Sequence, residues 1–72
     1  MTKLDEDFIK CTTFCVIEDV SEEMFLYISE LYFEGCKAQG QKPMSKEVCA
    51  VKCSELIADF REWELKQSIN LN

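Results

Sequence analysis

The chain has 72 residues, 47% of them hydrophobic and 31% charged, with 14 acids against 8 Lys and Arg, a formal net charge of −6 and no histidine. That length holds one domain, residues 1–72, with an apolar fraction that folds, yet a core of this size supplies only roughly 3–5 kcal/mol unless a disulfide, a metal or a partner chain adds to it. The composition argues against catalysis: no histidine can serve a Ser or Cys nucleophile, and two glycines cannot build a phosphate loop.

Neither an enzyme nor a bound cofactor is therefore expected. Residues 1–23 hold seven acids against Lys3 and Lys10, a net of −5, which leaves −1 for the rest. Nucleic acid is a poor partner for a chain without clustered Lys and Arg. A basic protein suits it better, with Asp5, Glu6 and Asp7 as steering charges. No apolar run approaches the roughly 18 residues of a membrane span, and no signal segment is legible. The expectation is a cytoplasmic protein with no membrane contact.

The first segment reads as a helix over about 3–17, capped by Thr2, with Leu4, Phe8, Cys11 and Cys15 in one stripe. A competing reading takes Thr12-Thr13-Phe14-Cys15-Val16-Ile17 as a strand rich in β-formers. Strand, helix, helix is an order that resembles the ribbon-helix-helix repressors, and the resemblance implies a dimer whose paired strands enter the major groove. Here the segment carries Glu18 and Asp19 but no Arg, Lys, Asn or Gln to read base edges.

The second segment predicts a helix over about 21–38, opened by Asp19 or Ser21 as cap and by Glu22 and Glu23 at its positive end. Its broad apolar half, Met24, Phe25, Tyr27, Ile28, Leu31, Tyr32 and Cys36, is assigned to the core. Gly40 and Pro43 mark the loop that follows. The third helix is expected over about 45–67, with Cys49, Cys53, Leu56, Phe60 and Trp63 as its seam. The fold class is thus all-α, a small bundle: an antiparallel hairpin of the two long helices with the N-terminal helix laid across it.

Five cysteines include two identical spacings, Cys11-x-x-x-Cys15 and Cys49-x-x-x-Cys53. Each pair lies on one helical face. Buried small side chains are the favoured reading; four thiolates around zinc are a second one, and disulfides a third. The paired motifs resemble those of the small intermembrane-space chaperones of mitochondria, which implies disulfides, but 33 residues separate the motifs here.

Apolar residues outnumber the places one core provides. Leu26 and Phe33 fall opposite the core half of the second helix, and Val51, Ala58 and Leu65 form a second seam on the third. With Arg61 and Trp63 they make up the expected interface, the Arg and Trp being the residue types that dominate binding energetics. The carboxylates Glu30 with Glu34, and Glu55 with Asp59 and Glu62, read as solvated faces. The functional expectation is a small acidic protein-binding regulator, inhibitor or adaptor, homodimeric, of the kind found among accessory proteins of phages and mobile elements. Its alternatives are a ribbon-helix-helix-like DNA-binding regulator and an acidic DNA-mimic inhibitor.

Overall fold

The structure is a computed structural model that describes residues 2–70. Three helices account for most of it: α1 (Lys3–Ile17), α2 (Glu22–Ala38) and α3 (Lys46–Asn70). No strand occurs among the described residues. The strand alternative for the first segment is thereby corrected, and with it the ribbon-helix-helix order. The physical reason is local: Thr2 and Asp5 form a reciprocal capping box that starts the helix, and Thr13, a β-former in isolation, donates its hydroxyl to the Ile9 carbonyl one turn back at 2.7 Å.

Both inter-helix connections are closed by the same device. After α1, Val20 N–H donates to the Cys15 carbonyl at 3.0 Å and Asp19 N–H to the Val16 carbonyl at 3.4 Å, with Asp19 left-handed at φ 51. After α2, Gln41 N–H donates to the Cys36 carbonyl at 2.8 Å and Gly40 N–H to the Lys37 carbonyl at 3.2 Å, with Gly40 at φ 67. These are Schellman ends. The second uses glycine, which adopts that backbone freely; the first uses aspartate, at a cost of about 1 kcal/mol.

The arrangement departs from the expected hairpin. α1 packs on α2 and on α3, while no α-carbon of α2 comes within 8 Å of one of α3. α1 is therefore the middle of the layer, and the two long helices are arms on either side of it. Against α2, the close approach is at Gly35, where an added Cβ would lie 3.1 Å from Leu4 Cδ2. Against α3, Cys53 Sγ comes 3.8 Å from the Ile9 carbonyl oxygen. A bulkier residue than cysteine would push those two helices apart.

An open layer buries little. Among the described residues the buried hydrophobic ones are Ile9, Cys15, Tyr32, Cys36 and Cys53, and the one side chain sealed off completely is a cysteine, Cys36. The expected core half of α2 delivers only Tyr32, Cys36 and a half-buried Ile28; Met24, Phe25, Tyr27 and Leu31 are exposed. With arms that do not touch, each has one neighbour to cover it instead of two. The radius of gyration, 14.3 Å, exceeds the roughly 11 Å of a compact chain of this length. Exposed surface is likewise 5794 Å² for 8.4 kDa, about 1,200 Å² above the value that compact monomers follow.

Candidate functional site: two apolar faces

One end of the layer is fixed by a polar cluster. The Tyr32 hydroxyl donates to Asp5 Oδ1 at 2.6 Å and accepts from Met44 N–H at 2.8 Å. Gln41 Nε2 donates to the same carboxylate at 3.0 Å and to Thr2 Oγ1 at 2.8 Å. Phe8 stacks on the Tyr32 ring with centroids 4.1 Å apart. One phenol thus ties α1, α2 and the loop before α3 together. The hydrogen bond from Tyr32, more than any other influence, holds the Asp5 carboxyl below its ordinary value; burial and that same carboxylate push the Tyr32 hydroxyl far above its own.

Asp5 is consequently not a steering charge. It is 8% exposed with both oxygens engaged, and of the three acids assigned that role only Glu6 and Asp7 face solvent.

The space between the arms is a groove of about 630 Å³. Its floor is Phe8, Thr12 and Val16 of α1, one wall is Phe25, Leu26, Ser29 and Phe33 of α2, and the other runs from Met44 to Cys53. Lys46 is the one charged residue lining it. Leu26 and Phe33, 52% and 51% exposed, meet here as the sequence pattern requires. Thr12 adds a feature that the pattern does not show: its hydroxyl is buried without a hydrogen-bond partner, in the floor of a groove whose other polar lining is Ser29, Ser45 and Lys46.

A second apolar face lies on the other side of the α1–α3 pair. Phe14 and Ile17 of α1 meet Leu56, Phe60 and Trp63 of α3 around a depression of about 440 Å³, bordered by Lys10, Glu18 and Asp59. At 100° per residue, Phe14 and Ile17 project about 150° away from Thr12 and Val16. The Phe60 and Trp63 rings stack at 5.9 Å, and Trp63 remains 56% exposed. The remaining interface candidates belong to neither face. Val51, Ala58 and Leu65 are exposed along the ridge of α3 that points away from α1, with Arg61 beside Leu65. The structure therefore divides the seven expected interface residues among three places.

The four paired cysteines do not converge. Cys11 is exposed and Cys15 buried, while Cys49 and Cys53 form a pair of their own in the groove wall, sulfurs 3.9 Å apart. Burial, reinforced by Cys53, pushes the Cys49 thiol up to about 11. Among the described residues no three His, Cys, Asp or Glu side chains are grouped to hold a metal ion. Of the four expected as buried small side chains, Cys15 and Cys53 are buried, Cys49 is half-buried and Cys11 faces solvent; Cys53 meets α1 at Ile9.

Fold and surface together define an all-α protein of three helices that presents two separate apolar faces on an acidic scaffold. No known protein family, curated protein or solved structure matches the chain. Among the described residues no helix is long and apolar enough to cross a membrane.

Proposed function

We propose that this chain is a small acidic protein-binding regulator or adaptor, working as a homodimer and gripping a partner protein through its aromatic face. The observation that carries the reading is Trp63: a half-exposed tryptophan stacked on Phe60, flanked by Phe14 and Ile17 and bordered by two acids, Glu18 and Asp59, against one base, Lys10. Trp and aromatic anchors in an apolar depression dominate binding energies, and acidic borders on a chain of net charge −6 favour a partner that is basic there. Two apolar faces on opposite sides of α1 suit a molecule that meets a copy of itself on one and its target on the other.

The test is affinity purification from the organism that makes the chain, comparing wild type with Trp63→Ala. The expected result is one protein recovered stoichiometrically with wild type, released by raised salt, and depleted at least tenfold with Trp63→Ala while helix content by circular dichroism is unchanged. Equal recovery with both forms would refute the aromatic face as the binding site.

A further inference from the structure

The groove between α2 and α3 remains to be filled, and its chemistry narrows what fills it. The surface surplus of about 1,200 Å² is more than one standard interface requires, about 800 Å² per partner. Five buried hydrophobic residues among those described, three of them cysteines, are a thin core for a single chain to stand on alone. A fold in that position needs its cover at all times. The protein always present at matching concentration is another copy of itself.

We infer that the groove is closed by α2 of a second copy, the two α2 helices lying antiparallel across a two-fold axis near Ser29. The inference rests on the homodimer in the proposed function and assigns its interface. Three observations favour it. Leu26, Ser29 and Phe33 form the α2 wall of the groove, so the surface that must be covered is also the surface that can cover, as an isologous contact requires. With Lys46 as the sole charge in the lining, the groove itself brings no acid to meet the acids carried by an incoming α2.

The third observation is charge order along α2. Its first turn carries Glu22 and Glu23 and its last turn Lys37, with Lys46 at the same end of the groove as Phe33 and Met44. An antiparallel pair sets the acidic start of one α2 against the basic end of the other; a parallel pair would set like against like.

Sedimentation equilibrium and crosslinking test the assignment. Wild type is expected at twice 8.4 kDa, with Phe33→Asp and Leu26→Asp weakening self-association by roughly 100-fold and Leu65→Asp leaving it unchanged. In a Cys11→Ser background, Ser29→Cys should give a covalent dimer on mild oxidation, whereas Glu64→Cys should not; this arm holds even where an Asp variant fails to fold. A dimer insensitive to Phe33→Asp without a Ser29→Cys crosslink, a dimer broken by Leu65→Asp, or a monomeric wild type would each overturn it. Partner recovery through Trp63 is read separately: a groove failure leaves that intact, and loss of recovery with the dimer intact refutes the target face alone.

Discussion

Tyr32 and Phe33 are neighbours on α2 with ring centroids 5.6 Å apart, and they do opposite things. Tyr32 is 4% exposed and its hydroxyl is saturated by an acid and an amide; Phe33 is 51% exposed and contributes only hydrocarbon to the groove. The polar end of the molecule is finished within one chain, whereas the apolar groove stays open in the single chain and is closed by a second in the proposed dimer. In the proposed dimer, adjacent positions on one helix separate the work of folding from that of association.

Substitutions can widen or collapse that contrast. The largest effect is expected at the sealed side: Ile9→Ala removes a side chain 4% exposed at the α1–α3 contact and should cost about 3 kcal/mol in urea unfolding at fixed protein concentration. Leu65→Ala, 65% exposed on the outer ridge, should change stability by less than about 0.5 kcal/mol. Equal effects from the two would mean that the exposed ridge contributes to folding.

Tyr32→Phe comes next, at about 2 kcal/mol, since it leaves the Met44 N–H and a buried carboxylate oxygen each one partner short. The same cluster sets an acid dependence. Because the Asp5 carboxyl is held below its ordinary value of 3.8, its stabilisation is fully present above that pH and is lost as pH falls through the lowered folded value. Asp5→Asn should lose stability at neutral pH and show a flatter acid limb; an unchanged limb would remove Asp5 from the account. The smallest effect is a gain. Asp19→Gly relieves the left-handed aspartate at the end of α1 and should add about 0.5–1 kcal/mol, measured as a raised urea midpoint.

Much of this was legible in residue patterns. Three helices, the Thr2 and Ser21 caps, the glycine end at Gly40 and the surplus of Leu26 and Phe33 all follow from local chemistry and periodicity. The neighbour relations followed in part: the small side chains of the paired cysteines imply close approach of the first and third helices, which the structure has, whereas the separation of the two long helices did not follow. α1 has a second packing face, Ile9, Thr13 and Ile17, which looks half polar because it contains a threonine. Thr13 is buried nonetheless, since its hydroxyl is satisfied by its own helix. Read as polar, that face understates how much of α1 packs on α3, and the two long helices are then paired with each other as well. Asp5 was misread for a related reason. Two of its partners, Tyr32 and Gln41, stand 27 and 36 residues away, a separation at which no local pattern distinguishes a buried carboxylate from a solvated one.

Sedimentation equilibrium of the unmodified chain at about 100 µM, beside Phe33→Asp at the same concentration, tests the central claim most directly. The account predicts twice 8.4 kDa for the first and 8.4 kDa, with helix content retained, for the second. A folded wild type at 8.4 kDa would contradict it.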